Sequence, residues 1–154
     1  MTEQSIRDGL KQVYLPGRQE LISYQGKRIL LDVAHNPAAV KQLAHKMESL
    51  AVKGKIYAIT GWQKDKDIKS ALSLIKDYIF DWNLISLPQP RGAQSDYLAS
   101  ILEALNVHRY SLKPLMDEAL VYTLNRMFDE DLLVIFGSFV TVCEAYLNLR
   151  KMPL

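Results

Sequence analysis

The run Leu132-Leu-Val-Ile-Phe136 is apolar at every position, so a strand built from it must be covered on both faces. Strands of that kind belong to parallel sheets with helices above and below. Gly137-Ser138 follows at once and turns the chain toward a last helix that runs to about Arg150. The same alternation recurs upstream. Glu20 to Tyr24 and Lys27 to Leu31 flank Gln25-Gly26, the pattern of two short strands joined by a two-residue hairpin. After Asp32, Ala39 or Val40, Leu43, Met47 and Leu50 follow helical spacing, and Gly54 is expected to close that helix.

Lys55 to Thr60 reads as a strand, and a helix from about Asp67 to Asp77 carries Ile68, Ala71, Leu72 and Ile75, with Asp67 as its cap. Phe80 to Leu87 reads as the next strand, stopped by Pro88 and Pro90. Ser95 is expected to cap a helix bearing Leu98, Ile101, Leu102 and Leu105. Val107 to Tyr110 is a short strand, and a helix from Lys113 or Pro114 to Phe128 completes the series. The pattern predicts a three-layer α/β fold of Rossmann-like build: a mainly parallel six-stranded sheet, one strand antiparallel, with right-handed crossovers and helices on both faces. A separate short helix over Ser5 to Val13, with Ile6, Leu10 and Val13 on one face, precedes Pro16-Gly17.

A chain of 154 residues is long enough for one such domain and too short for two. Its formal charge is +2, with Lys and Arg scattered among acids, which argues against a nucleic-acid partner. Cys143 is the one cysteine, so no internal disulfide forms, and its neighbours make it a small core residue. The polar amino terminus has no signal-peptide core, and no apolar run reaches the roughly 20 residues of a membrane span. These features lead to the expectation of a soluble, cytoplasmic protein.

The stretch with most chemistry is Asp32-Val-Ala-His-Asn-Pro37. In an open α/β sheet the carboxyl ends of strands face the crevice where ligands bind, and a helix N-terminus there offers free N–H groups. Asp32 and His35 would stand at that place. The same residues also suit a strand that ends at Asp32 and a helix capped by Asn36 with Pro37 in its first turn. Neither a P-loop nor a Gly-x-Gly-x-x-Gly fingerprint occurs, so the chain should not hold a triphosphate or dinucleotide unaided. No Cys or His spacing suggests a metal site. His45 and His108 read as structural or exposed, and Trp62 and Trp82 as packing residues.

Taken with Leu15-Pro-Gly-Arg18, Asp65-Lys-Asp67, Pro90-Arg-Gly-Ala93 and Phe136-Gly-Ser-Phe-Val-Thr141, in that order along the chain, this stretch resembles the carboxy-terminal domain of the folylpolyglutamate synthase and dihydrofolate synthase family, relatives of the Mur ligases. The resemblance implies a Mur ligase-type carboxy-terminal domain over residues 18–154, after an interdomain linker with a short helix at 1–17. It implies an ATP-dependent acid–amino-acid ligase of class EC 6.3.2. Such an enzyme converts a folate or dihydropteroate carboxylate to an acyl phosphate, and the amine of glutamate then displaces phosphate. ATP and magnesium would be held mainly by an amino-terminal P-loop domain of the same protein, as a monomer, and this chain alone would be inactive. By carry-over, Arg18 and Asp32 contact ATP, the first as a cation and the second as a hydrogen-bond acceptor. His35 and Ser138 help to hold the incoming glutamate. Where some relatives have a polar side chain two residues after that serine, this chain has Val140, which leaves no side-chain polar contact there. Asp65, Lys66, Asp67 and Arg91 are secondary candidates: a charged loop with an Asp cap and an exposed turn residue explain them equally well. The competing reading is a free-standing α/β module that binds a nucleotide or small anion and catalyses nothing; a protein-interaction domain using the Ile6, Leu10, Val13 face is a third.

Overall fold

The computed structural model describes residues 17–152; the expected helix over Ser5 to Val13 lies outside them. Strands β1 (Glu20–Tyr24) and β2 (Lys27–Asp32) form the expected antiparallel hairpin. Gln25 and Gly26 at its tip both have positive φ, 51° and 80°, as a type I′ turn requires. Helix α1 (Pro37–Ser49) leads to β3 (Ile56–Thr60), α2 (Ile68–Ser73) to β4 (Asp81–Leu84), α3 (Ser95–Ala104) to β5 (Tyr110–Leu112), and α4 (Met116–Arg126) to β6 (Leu132–Phe136). Helix α5 (Phe139–Lys151) closes the domain. The strand order is β1-β2-β6-β3-β4-β5, parallel throughout except for β1. The six-stranded, three-layer expectation is therefore met. Among the described residues no helix is long and apolar enough to cross a membrane.

The both-faces logic of Leu132 to Phe136 is visible in the core. Leu132, Val134 and Phe136 join one apolar cluster with the inner faces of α1, α2 and α3; Leu133 and Ile135 join the other with α4 and α5. All five β6 residues are fully buried. The crossovers through α1, α2 and α3 lie on the first face and carry the chain outward to β5. The crossover through α4 returns on the second face and inserts β6 between β2 and β3. Neighbouring strands therefore send their chains to opposite faces: β2 and β3 toward the first, β6 toward the second. That divergence opens a crevice at their carboxyl ends.

Several boundaries differ from expectation for reasons of local hydrogen bonding. Gly54 does not close α1; Leu50 is its C-cap and Ala51 takes the left-handed position, with φ 47°. Gly54 is instead needed where its N–H meets the Glu130 carbonyl at 3.0 Å, since a Cβ would meet the Glu130 backbone. Helix α2 stops at Ser73 and gives way to a 3-10 turn at Lys76–Tyr78. The β4 ladder ends at Leu84 because the amides of Ser86 and Leu87 turn to the carbonyls of Pro114 and Ala93. Ser95 is not a cap: Gln94 holds the cap position, and the Ser95 N–H donates to Ser86 Oγ at 2.8 Å. The Val107 amide is spent on the Leu102 carbonyl at the end of α3, so β5 starts only at Tyr110. Helix α4 likewise starts later than expected, at Met116 after an uncapped Leu115, and ends at Arg126.

Candidate functional site

At the carboxyl end of the sheet, Asp32, Phe136 and Thr60 stand side by side in register on β2, β6 and β3. The Thr60 hydroxyl donates to the Phe136 carbonyl at 2.7 Å and accepts from Trp62 Nε1 at 2.7 Å, fixing the two central strand ends to each other. Gly137 then turns with φ 121°, a conformation that strains any L side chain, and a Cβ there would approach Thr60 Oγ1 and Trp62 Nε1 at 2.8 Å. Its N–H donates to the Ala34 carbonyl at 3.0 Å and so joins the β6 turn to the loop after β2.

Asp32 is 7% exposed, and its Oδ1 accepts the Ala34 N–H at 3.0 Å. Burial pushes its pKa up to about 6, opposed by that N–H and by the charge of Arg18. At neutral pH it is an ionised carboxylate in a site that penalises the charge. Arg18 is exposed between two positive-φ residues, Gly17 at 80° and Gln19 at 51°. The Gly17 carbonyl accepts the Val33 N–H at 2.5 Å, which pins this kinked segment to the end of β2. His35 lies 3.0 Å through Nδ1 from the Val33 carbonyl. A carbonyl only accepts, so Nδ1 carries the proton, and in the neutral ring Nε2 is left with a free lone pair. Asn36 caps α1 through the Ala39 N–H at 2.8 Å. The capping reading of Asn36 is therefore correct, and it leaves Asp32 and His35 free for other work.

Ser138 is the N-cap of α5 and is 4% exposed. Its Oγ accepts the Thr141 N–H at 3.0 Å and lies 2.7 Å from Thr141 Oγ1. Thr141 Oγ1 in turn donates to the Gly61 carbonyl at 2.8 Å. That contact uses the Thr141 proton, so Ser138 must be the donor in the hydroxyl pair.

Two cavities meet at His35. One, of about 480 Å³, is lined by Arg18, Asp32, His35, Asn36 and neighbours from the start of α1. The other, of about 110 Å³, is lined by His35, Gln63, Lys66, Gly137, Ser138 and Phe139. The fold thus gathers Arg18, Asp32, His35 and Ser138, from three separate stretches of sequence, around one crevice end. Lys66, a secondary candidate, lines the smaller cavity; Gln63 and Phe139 were missed. Gln63 gave no sequence signal, whereas Phe139, 68% exposed directly after Ser138, was an apolar residue at a helix start. The other secondary candidates are engaged elsewhere. Asp67 caps α2, and Arg91 forms an ion pair with Asp65 whose hydrogen bond lowers the Asp65 pKa. The Lys64 N–H to Arg91 carbonyl bond of 2.7 Å holds the two loops together.

Outside the crevice, Trp62 and Trp82 are fully buried, as expected. His45 is exposed, and His108 precedes β5 and meets Glu103 at 2.7 Å. Cys143 is only partly buried on α5 instead of lying in the core. Val140 packs partly buried against the second core cluster. Among the described residues no three His, Cys, Asp or Glu side chains converge into a metal cage.

The model of the Mur ligase glutamate ligase domain matches residues 17–139. The chain belongs to that family. It is 36% identical over 145 residues to the dihydrofolate synthase/folylpolyglutamate synthase of Buchnera aphidicola subsp. Baizongia pistaciae, covering 94% of this chain and 33% of the relative. The bifunctional folylpolyglutamate synthase/dihydrofolate synthase of Yersinia pestis, solved with AMPPNP and Mn ion, superposes with a TM-score of 0.81 at 29% identity, covering 97% of this chain and 35% of that one. A further solved enzyme of that name, with Mn, AMPPNP and L-glutamate bound, gives the same TM-score of 0.81, identity of 29% and coverage of 97% and 35%. The Mur ligase domain described here spans about a third of the length of the curated relatives it matches.

Proposed function

We propose that this Mur ligase-family domain forms the carboxy-terminal part of an ATP-dependent ligase that joins glutamate to dihydropteroate, to folate, or to both. In that ligase ATP supplies the phosphoryl group that activates the acceptor carboxylate. The observation that carries the reading is the pair of cavities meeting at His35, one with a buried ionised carboxylate and a cation, the other walled by lone pairs and a lysine. In the larger cavity Asp32 accepts hydrogen bonds from the nucleotide, which offset the cost of its buried charge, and Arg18 stands by as a cation. A residue pattern of one acceptor and one cation fits a nucleotide. It does not fit magnesium, which needs several oxygen ligands, and that ion would be held by the rest of the protein.

In the smaller cavity His35 Nε2 and Ser138 Oγ accept from the glutamate ammonium, while Lys66 and Gln63 donate to its carboxylates. Holding the amine in place and excluding water matters because the activated carboxylate is open to hydrolysis. Similar proteins were solved with AMPPNP and Mn, one of them with L-glutamate as well, so both ligand classes of this reading are ones that such proteins bind. Residues 1–17 serve as the linker to the ATPase part, and the enzyme works as a cytoplasmic monomer.

The test is ligation by this domain expressed in one chain with its ATPase part, using ATP, magnesium, glutamate and a folate or dihydropteroate acceptor. Arg18→Ala and Asp32→Ala are each expected to lower kcat/KM for ATP about 10- to 150-fold, the worth of one charge-assisted contact, with an unchanged melting midpoint for Arg18→Ala. Wild-type kinetics in both variants would return the larger cavity to a merely structural role.

A further inference from the structure

We propose that Thr141 is a positioning residue that fixes Ser138 as a pure hydrogen-bond acceptor and thereby selects the ammonium end of the incoming amino acid. The proposal rests on the reading of Ser138 as a glutamate contact. Capping α5 needs only the backbone N–H of residue 141, which any amino acid but proline would supply. The hydroxyl of Thr141 is surplus to that task, yet it is fully buried and placed between two partners.

The proton inventory follows from chemistry alone. The Gly61 carbonyl has no proton to give, so it takes that of Thr141 across 2.8 Å. Thr141 Oγ1 then receives the Ser138 proton across 2.7 Å. Ser138 has spent its proton and one lone pair, the latter on the Thr141 N–H at 3.0 Å. One lone pair remains for the cavity. His35 is held the same way, its Nδ1–H committed to the Val33 carbonyl at 3.0 Å and its Nε2 left to accept. An amino acid at neutral pH donates only through its ammonium, and its carboxylates only accept. The two side-chain acceptors, Ser138 Oγ and His35 Nε2, therefore take the amine, and the carboxylates fall to the donors, Lys66 and Gln63 on the opposite loop and the first N–H groups of α5. The relay is rooted just past the end of β3 at Gly61, whose missing side chain leaves room for Thr141 Oγ1. Registering α5 against β3 thus also sets the polarity of Ser138.

The experiment uses the domain joined to its ATPase part. It compares Thr141→Val, Thr141→Ser and Ser138→Ala, measuring KM for glutamate, KM for ATP, and the inhibition constant of glutarate, which keeps both carboxylates and lacks the amine. Thr141→Val frees the Ser138 proton, so it is expected to raise the glutamate KM about tenfold and to narrow the discrimination against glutarate about tenfold, the scale of one hydrogen-bond contact. The ATP KM should stay put, and Thr141→Ser, which retains the hydroxyl, should restore both quantities. If the valine variant does not fold, Thr141→Cys, which puts a weakly bonding thiol in place of the hydroxyl, should shift them in the same direction. If the hydroxyl-deficient variants leave the glutarate discrimination at the wild-type value while Ser138→Ala raises the glutamate KM, the polarity proposal is overturned and the role of Ser138 survives. An unchanged glutamate KM in Ser138→Ala would overturn both.

Discussion

Asp32 is a carboxylate kept ionised where the protein makes ionisation costly, and that cost has a measurable signature. Its pKa rises from 3.8 to about 6 on folding, through burial first, with the Ala34 N–H and Arg18 opposing. Between those values Asp32 binds more protons in the native state than in the unfolded one, so its contribution to stability falls as pH rises from 3.8 to about 6 and is level above. Asp32→Asn keeps an oxygen for the Ala34 N–H and removes the charge. It should flatten that slope and stabilise the domain at pH 7 by up to about 3 kcal/mol, read from urea midpoints at pH 4.5 and pH 7. The same variant should weaken nucleotide binding, because the acceptor loses its charge. A variant less stable than wild type at pH 7 would mean that Asp32 is a structural ion-pair partner.

At the scale of elements, two backbone positions carry the crevice and its opposite end. Gly137 holds φ 121° in the turn from β6 to α5, with Thr60 and Trp62 closing the space a side chain would need. Gly137→Ala should cost about 2–4 kcal/mol, combining backbone strain with overpacking, and calorimetry would show it as a lowered melting midpoint. Ala51 presents the reverse case, an L side chain in the left-handed position after α1. Ala51→Gly should raise stability by about 0.5–1 kcal/mol, seen as a shift in the urea midpoint without a change in slope. These two positions also mark where sequence was and was not informative. Leu132 to Phe136 was legible because only a doubly covered strand suits five consecutive apolar side chains. Gln25-Gly26 was legible because few turns accept that pair. Gly54 was misread because glycine marks a helix end and a close backbone approach equally well, and only the position of Glu130 tells them apart. Ser95 failed similarly, since its amide partner Ser86 lies in another loop. In the site, Asp32, His35 and Ser138 were marked by polar residues at strand ends and by family resemblance. Gln63 reaches the same cavity through a loop whose shape depends on the Asp65–Arg91 pair and the contact with Gly92, none of which has a local sequence pattern.

For the molecule as a whole, two apolar clusters on the faces of one sheet make a core that needs no other domain. The purified chain should therefore unfold cooperatively. It should also release no phosphate from ATP in the presence of magnesium, glutamate and a folate acceptor, since the sequence holds no P-loop and phosphoryl transfer depends on positioning and charge that a P-loop supplies. Turnover near 1 per second, about the ordinary enzymatic scale, that vanished in Asp32→Ala would refute this. Under the proposed function one crevice holds two ligands, divided at His35. The most direct test is a crossed pair of Michaelis constants in the domain joined to the proposed ATPase part. Asp32→Ala should raise the KM for ATP about tenfold or more and leave that for glutamate unchanged, whereas Ser138→Ala should do the opposite. If both variants shift the same constant, or neither shifts any, the two cavities do not divide nucleotide from amino acid.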